Sequence, residues 1–329
     1  MKAILKNIIK FTVFVGIGAV LFLLVYKDFD FISLVKGIQN LDYKWFFLMA
    51  FLGLFSHFSR TWRWQMLLET GGNKTRFSTA FLAVMNGYFV NLAIPRMGEV
   101  SRCGIISKYE KIPFAKVLGT MISERIIDLI IFLLFTIIAI FVGYEQILVF
   151  LGNNQKFGDK LLFLFSWKFI VISIFIIGLS VFLLIKIAKG KFNKHKIFSK
   201  LSLFLNQVWE GFISLKDVKS KGKFIFHSIF IWLLYFFMLF SCFFAFESMQ
   251  NLDISVALVL FVAGSFGMLA PAPNGIGAYH FMIIQTLIIY GISEINAASF
   301  ALIVHGLQTI LLILLGILSF ILLPIINKE

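Results

Sequence analysis

Charged residues and prolines are scarce in this chain, and their scarcity excludes an ordinary soluble domain. Only 14% of the residues are charged, whereas soluble domains have about a quarter. In their place, 60% of the residues are hydrophobic, and there are 42 phenylalanines but only five prolines. Several apolar runs reach the roughly 20 residues that a helix needs to cross a bilayer. The composition therefore predicts an all-α polytopic membrane protein.

Cysteine is nearly absent as well, and the histidines show no metal-binding pattern. Cys103 and Cys242 are too few for a disulfide framework, and the five histidines lack the spacing of metal ligands. The net charge of +14 comes mainly from lysines in the loops between apolar runs, which differs from a nucleic-acid-binding surface. We therefore expect no metal, no other cofactor and no nucleic-acid partner.

The charges of the loops indicate how the chain is oriented. A first span at 8–26 has three lysines before it or in its first turn and no cleavage site after it, so we expect an uncleaved span with a cytoplasmic N-terminus. The loop 186–223 has ten lysines against two acidic residues, which places it in the cytoplasm too. Apolar residues three or four apart in this loop predict an amphipathic helix in the membrane interface, and a linker with a packing face is an interpretation that does not conflict with it.

The apolar runs predict six full spans and two re-entrant hairpins in a single transmembrane domain, 1–329. The full spans are expected at 8–26, 43–62, 117–142, 161–185, 224–246 and 296–323. The first hairpin follows a helix at 77–94 that Pro95 ends, because proline cannot continue a helix. The second has short helices at 254–270 and 278–290. Three crossings separate the hairpins, so the halves 1–142 and 161–329 are predicted to form an inverted repeat, as in many transporters.

Charges and helix breaks together predict a binding site for an anion. A charge in hydrocarbon costs roughly 2.5 to 3.5 kcal/mol unless it is paired or faces water. Arg96, Arg102 and Arg125 could hold a phosphate, while Glu124 and Asp128 neutralise these arginines in the empty site. The helices that begin after each break would direct free amide groups into the same cavity. A structural salt-bridge cluster is the alternative. The candidate substrate-binding residues are Asn91, Pro95, Arg96, Gly98, Glu99, Arg102, Glu124, Arg125, Asp128, Pro273, Asn274, Gly275 and Gly277.

Two further groups of polar residues allow two interpretations each. His280 and His305 lie in or beside the second hairpin and fit either a proton relay or hydrogen-bonded interior histidines. Arg60 and Arg63, which flank Trp62, predict an anchor at the membrane interface rather than a functional site.

The motifs around the first break resemble a known family. The stretch NLAIPRMGEVSR, the downstream SERIID and the late PAPNGIGAYH are similar to the flippase-like transmembrane domain of bacterial lysylphosphatidylglycerol synthases and its free-standing relatives. The family core P-x-R-x-G-E-x-x-R is matched with one residue fewer between Pro95 and Arg96. The resemblance implies lipid translocation. We expect no aminoacyl-transfer domain, and hence no lysyl transfer.

These observations favour a transporter, not an enzyme. We expect it to move an anionic lipid or a lipid-linked phosphate between leaflets of a bacterial cytoplasmic membrane, with both termini in the cytoplasm. One alternative is a membrane glycosyltransferase with a polyprenyl-linked donor, for which Asp28 and Asp30 would be the acidic pair. Another is a non-catalytic scaffold that binds a lipid-modifying synthase through the lysine-rich loop.

Overall fold

Helices and short turns make up the part of the chain that the computed structural model describes, which is residues 41–146, 196–270 and 272–327 with Val20, Phe22, Leu23 and Leu148. The spans expected at 8–26 and 161–185 lie outside these residues. The helices are α1 (Lys44–Leu68), α2 (Phe77–Ala93), α3 (Met97–Glu110), α4 (Phe114–Val142), α5 (Lys196–Ile213), α6 (Lys221–Ser241), α7 (Ile254–Met268), α8 (Ala278–Ile289) and α9 (Glu294–Ile326). Helices α4, α6 and α9 are long and apolar enough to cross a bilayer. The prediction of an all-α polytopic membrane protein is confirmed.

Two helices extend beyond their predicted ends. Helix α1 does not stop at Trp62 but continues to Leu68, because the polar residues of its last turns are buried against other helices. Helix α9 continues through Pro324 to Ile326. Pro324 has no amide hydrogen to donate to the carbonyl four residues before it, so one helix hydrogen bond is lost, and the helix ends two residues later.

At both predicted breaks the chain forms an antiparallel helical hairpin, and glycines allow its two helices to pack closely. In the first hairpin, α2 and α3 meet at Gly87 and Gly98, where a Cβ on Gly98 would collide with the carbonyl oxygen of Gly87. In the second hairpin, α7 and α8 meet at Gly267, where a Cβ would lie 2.6 Å from the Cα of Tyr279. A side chain at either glycine would push the two helices of its hairpin apart.

Each hairpin packs against the long helix of the other half. Helix α2 runs antiparallel to the second half of α9, where Thr79 bonds Asn327 and Phe89 contacts Gly316. Helix α7 runs antiparallel to the second half of α4, where the ring of Phe266 lies 5.0 Å from that of Phe132. At 1.5 Å per residue, α2 and α7 are only about 22 to 25 Å long, shorter than the hydrocarbon layer of about 30 Å.

The two hairpins approach from opposite ends of α9. The first starts beside the end of α9, because Arg76 and Thr79 bond Asn327. The second leads directly into the start of α9, and its Asn274 bonds the middle of that helix. The turn Pro273–Gly275 contacts α2. The hairpins therefore meet inside the molecule.

The two ends of the molecule differ in charge. The end where α9 stops gathers basic residues, and it includes the turn Ser214–Asp217, which contacts the turn Glu69–Gly71. Its described basic residues include Arg76, Lys108, Lys111, Lys216 and Lys219. The opposite end has Asp42, Glu145, Glu247, Asp253 and Glu294, and Lys44 pairs there with Asp42 at 2.9 Å. One end is thus basic and the other mainly acidic.

Helix α5 lies within the lysine-rich segment and packs against α4. A Cβ on Gly119 of α4 would lie 2.8 Å from the Cα of Gly211, and the hydroxyl of Ser123 donates to the carbonyl of Phe212 at 3.0 Å. On its outer side, Leu203 and Trp209 are more than half exposed. The helix therefore packs one face against α4 and leaves apolar side chains exposed on another.

Candidate functional site

A buried cluster of arginines and carboxylates joins α1 to α4. The carboxylates of Glu124 and Asp128 lie four residues apart on α4 and thus on one helical face. The Nε of Arg60 donates to Glu124 Oε1 at 2.9 Å, and its NH2 group donates to Asp128 Oδ2 at 2.7 Å. Arg63, one turn later on α1, lies 2.8 Å from Asp128 Oδ1. Because both carboxylates contact both arginines, the cluster fixes α1 against α4.

Two more arginines reach the same carboxylates from other directions. The NH1 group of Arg102, on α3, lies 3.2 Å from Glu124 Oε2, and the Arg102 guanidinium stacks over the Trp64 ring at 4.6 Å. Arg125 lies 2.8 Å from Glu124 Oε1 and 3.4 Å from Asp128 Oδ2. The four guanidinium groups exceed the two carboxylates by two positive charges. Such an excess among buried groups favours the binding of an anion.

The four arginines differ in exposure, and this difference indicates which of them a ligand can reach. Arg63 and Arg102 are buried, and several of their nitrogens have no hydrogen-bond acceptor within the described part of the chain. The Arg125 side chain is 42% exposed, and the Arg60 side chain only 7%. Arg125 is therefore the member of the cluster that a ligand from outside reaches first.

A central cavity of about 530 Å³ lies next to the cluster. Residues of α1, α2, α4, α6, α7, α8 and α9 line it. Its polar lining is His57, Arg60, Tyr88, Arg125, Asp128 and Tyr235 with Ser56, Ser265, Tyr279 and Gln308. Its apolar lining includes Met49, Phe132, Trp232, Met238, Phe261, Met268, Leu269 and Ile283. Along α1, Arg60 and Met49 are about 16 Å apart at 1.5 Å per residue. The cavity therefore has a charged end and an apolar end.

Hydrogen bonds from Arg60 to two tyrosines complete the charged end. The NH1 group of Arg60 donates to the hydroxyls of Tyr88 and, at 3.2 Å, of Tyr235. The indole of Trp232 donates to Asp128 Oδ1 at 3.4 Å. These contacts orient Arg60 and Asp128 at the cavity wall.

The remaining predicted residues of the first hairpin lie away from this cavity. Arg96 is exposed at the turn in the left-handed conformation, with φ of 64°, and Pro95 precedes it. The amide of Gly98 donates to Asn91 Oδ1 at 2.7 Å, and Glu99 Oε2 lies 3.4 Å from Asn91 Nδ2. The first turn of α3 thus uses this amide internally instead of offering it to a ligand, contrary to the prediction.

The predicted residues of the second hairpin form a neutral hydrogen-bonded cluster. Asn274 Nδ2 lies 2.8 Å from both His305 Nε2 and Thr309 Oγ1 of α9. The amide of Gly277 donates to His280 Nδ1 at 3.2 Å. Pro273 and Gly275 are buried in the turn between α7 and α8. These histidines are hydrogen-bonded interior residues, as one of the two interpretations predicted.

The interpretation of Arg60 and Arg63 as an interfacial anchor is wrong. Both are buried in the ion cluster, and Trp64 is buried with them, whereas Trp62 is exposed. The sequence does contain a signal for the ion cluster. Arg60 and Arg63 lie three residues apart on α1 and match the two carboxylates four apart on α4. Tyr88 and Tyr235 were also missed, because a lone tyrosine in an apolar helix shows no such pattern.

Comparisons with known proteins identify the family. The chain is 26% identical to the UPF0104 membrane protein MJ1595 of Methanocaldococcus jannaschii, over 94% of this chain and 92% of that protein. No solved structure matches the chain. The family model described as the lysylphosphatidylglycerol synthase TM region matches residues 7–316. The chain, whose first hairpin has the motif from Pro95 to Arg102, therefore belongs to the family of the lysylphosphatidylglycerol synthase transmembrane region.

Proposed function

We propose that this protein moves an anionic lipid, or a lipid-linked phosphate, between the leaflets of a membrane. The observation that carries the proposal is the central cavity, which has a charged end at Arg60, Arg125 and Asp128 and an apolar remainder. An anionic lipid likewise has a charged headgroup and apolar acyl chains. The match of the chain to the transmembrane region of a lipid-modifying synthase supports a lipid substrate.

The charged end provides the chemistry that an anionic headgroup needs. Arg125 presents a guanidinium group that can form two parallel hydrogen bonds with phosphate. In the empty site it pairs with Glu124 and Asp128. A phosphate that binds Arg125 takes the place of these two carboxylates as its partner. The other three arginines of the cluster still neutralise the carboxylates. The headgroup can therefore replace the carboxylates as the partner of Arg125 without leaving a buried charge unpaired.

The apolar part of the cavity suits the acyl chains. Leu129 of α4, Met268 of α7 and the neighbouring Leu269 line it and are also exposed on the outer surface, at 54%, 43% and 58%. The cavity thus reaches the surface between α4 and α7. In a membrane this surface faces lipid, so a headgroup can enter while its chains stay in the bilayer.

The test is lipid translocation by the purified protein in vesicles. Vesicles with fluorescent NBD-phosphatidylglycerol in both leaflets are treated with dithionite, which quenches the outer leaflet only. We expect the intact protein to make the inner pool accessible, and faster for phosphatidylglycerol than for zwitterionic phosphatidylcholine. Arg125→Gln should slow translocation of the anionic lipid about 10- to 100-fold, the effect of one lost charged hydrogen bond.

Arg76→Gln is the matched control, because Arg76 is also half exposed and paired with a carboxylate, Glu110, but lies at the basic end outside the cavity. It should leave translocation unchanged. Equal rates for intact protein, Arg125→Gln and Arg76→Gln would refute the assignment of the headgroup site.

The charge of the two ends supports an orientation in the membrane. Basic segments stay on the cytoplasmic side of membrane proteins. We propose that the basic end, with the last residues of α9, faces the cytoplasm of a bacterial cytoplasmic membrane, and that the N-terminus lies on the same side. A cysteine at Lys219 should then react with an impermeant maleimide only in inverted vesicles.

The proposal is for transport without covalent chemistry. A lipid-modifying enzyme that supplies the lipid is the partner we propose, with the lysine-rich segment as its contact surface. The acidic pair of the glycosyltransferase alternative, Asp28 and Asp30, lies outside the described residues.

A further inference from the structure

The ion cluster between α1 and α4 carries two more positive charges than its carboxylates neutralise. Four guanidinium groups surround the two carboxylates, and within the described residues no third carboxylate pairs with them. Glu99, one turn before Arg102 on α3, bonds Asn91 instead. The spans predicted outside the described residues, 8–26 and 161–185, contain no Asp or Glu. Because unbalanced buried charge is costly, the excess favours a ligand that brings negative charge.

The cluster is open to a ligand on the side of the central cavity. The nitrogens of Arg63 and Arg102 that have no acceptor within the described residues are buried, so an ion from outside cannot contact them. Arg60 and Arg125 line the cavity, and the Arg125 side chain is 42% exposed. Charges in a region of low dielectric interact over several ångströms. An anion at Arg125 therefore also balances the charge of the buried arginines behind it.

Two tyrosines add a hydrogen-bond donor at the same end of the cavity. The hydroxyls of Tyr88 and Tyr235 both accept from Arg60, and they lie 3.2 Å apart, so one hydroxyl donates to the other. The hydrogen of the second hydroxyl has no acceptor within the described residues, and both tyrosines line the cavity. Arg125 can form two parallel hydrogen bonds with a phosphate. The charged end thus offers three donors to a ligand.

We propose that the transported lipid ends in a phosphomonoester, a terminal phosphate with no further substituent. This headgroup class rests on the proposed function and specifies its substrate. A phosphomonoester carries about 1.5 to 2 negative charges at pH 7, which matches the excess of the cluster. Its three terminal oxygens match the three donors of the charged end. A phosphodiester headgroup has one negative charge and two terminal oxygens, and it leaves one excess charge unbalanced.

The first test compares two lipids that differ by one methyl group. Phosphatidic acid and phosphatidylmethanol share their acyl chains and their phosphate, but the methyl ester removes one charge and one terminal oxygen. Dioctanoyl forms of both are added to the purified protein in neutral detergent at about pH 8, where the monoester carries most of its second charge. The affinity of each follows from thermal stabilisation as a function of lipid concentration. We expect phosphatidic acid to bind about tenfold more tightly, as for one additional charged hydrogen bond.

Inorganic phosphate tests whether the ligand is a lipid at all. It has the charge of the monoester but no acyl chains, so it should bind at least about tenfold more weakly than phosphatidic acid, because it buries no apolar surface. Equal affinities for inorganic phosphate and phosphatidic acid would overturn the assignment to a lipid.

Variants of Arg125 decide whether charge causes the preference. Arg125→Gln lowers the excess from two charges to one, so the affinities for the two lipids should come within about threefold of each other. Arg125→Lys keeps the charge and loses the paired hydrogen bonds, so it should weaken both lipids and keep the preference. Arg76→Gln removes a half-exposed arginine outside the cavity and should also keep it. Equal affinity of the intact protein for both lipids, binding of neither, or an unchanged preference in Arg125→Gln would overturn the proposal.

Translocation separates this proposal from the proposed function. Acyl-labelled NBD-phosphatidic acid and NBD-phosphatidylglycerol are compared in the dithionite assay, and the first should move about tenfold faster. Equal rates for the two lipids would overturn the preference for a phosphomonoester but leave lipid transport standing. A protein that binds phosphatidic acid in preference and translocates neither lipid would refute transport but leave the phosphomonoester site standing.

Discussion

The two hairpin halves of the molecule place different chemistry at corresponding positions. Each half has a hairpin followed by a long helix, and each long helix has two polar residues four apart in its first half. These residues are Glu124 and Asp128 on α4, and His305 and Thr309 on α9. The first pair binds arginines, and the second binds the neutral Asn274. The comparison shows that one architecture can carry a charged site in one half and a neutral, hydrogen-bonded site in the other.

This difference fits a division of labour between the halves. Buried carboxylates with four arginines keep their charge over the physiological pH range, so the first site attracts an anion at any of these pH values. The second site binds its hairpin turn through neutral hydrogen bonds of His280, His305 and Thr309, none of which is an ion pair. The reciprocal packing, α2 along α9 and α7 along α4, is what an inverted repeat produces. We propose that the halves are such a repeat, the first specialised for a charged ligand and the second for a neutral, hydrogen-bonded hairpin turn.

The largest predicted effect comes from removing a carboxylate from the charged half. Glu124→Gln takes away one of the two negative charges among four arginines and leaves Arg102 without its carboxylate partner, while Asp128 alone pairs with the other three arginines. Breaking a buried ion pair in this way costs about 3 to 5 kcal/mol. We expect a large fall in the melting temperature of the purified protein in detergent, measured by intrinsic fluorescence. The matching change in the neutral half, His305→Gln, should cost less than about 1 kcal/mol, because it keeps the hydrogen-bond acceptor.

Glu99→Gln is the control for charge removal in the same half. Glu99 is only partly buried, and its one hydrogen bond within the described residues is the long contact with Asn91 at 3.4 Å. We expect little change in melting temperature. If Glu124→Gln and Glu99→Gln melted alike, the contrast between a charged and a neutral half would have no energetic basis.

The sequence predicted the breaks better than it predicted the partners across them. Pro95 and Pro273 mark the hairpin turns because proline acts locally on the backbone, so a single sequence is enough to find them. The pairing of Arg60 with Glu124 joins residues 64 positions apart, and only the packing of α1 on α4 decides it. The positions of the other arginines also depend on helix packing. Arg102 was expected at the ligand but lies behind Glu124, whereas Arg125, on the more exposed face of α4, lines the cavity.

Two variants with a predicted effect of intermediate size test whether the two hairpins are packed equally closely. Gly98→Ala and Gly267→Ala each place a methyl group against the backbone of the opposite helix. Overpacking of this kind costs about 1 to 3 kcal/mol. We expect both variants to melt earlier by similar amounts. Gly104→Ala, on α3 with open space at its Cβ, is the control and should melt no earlier. A loss in one hairpin only would show that the halves are unequal in packing as well as in charge.

The smallest predicted effect compares the two asparagines that tie the hairpin turns. Asn274→Gly keeps the left-handed backbone accessible and removes two hydrogen bonds to α9, whereas Asn91→Ala keeps the helical backbone of α2 and removes mainly the bond to the Gly98 amide. At about 1 kcal/mol for each bond, we expect losses of about 2 and about 1 kcal/mol. Thermal melting at about pH 8 and about pH 5 is the measurement, since these values lie on either side of the usual pKa of histidine. Both losses should be the same at the two pH values, because the buried His305 stays neutral and keeps its acceptor for Asn274. A loss for Asn274→Gly that shrinks at the lower pH would mean that His305 takes up a proton, and the second half would then not be the neutral one.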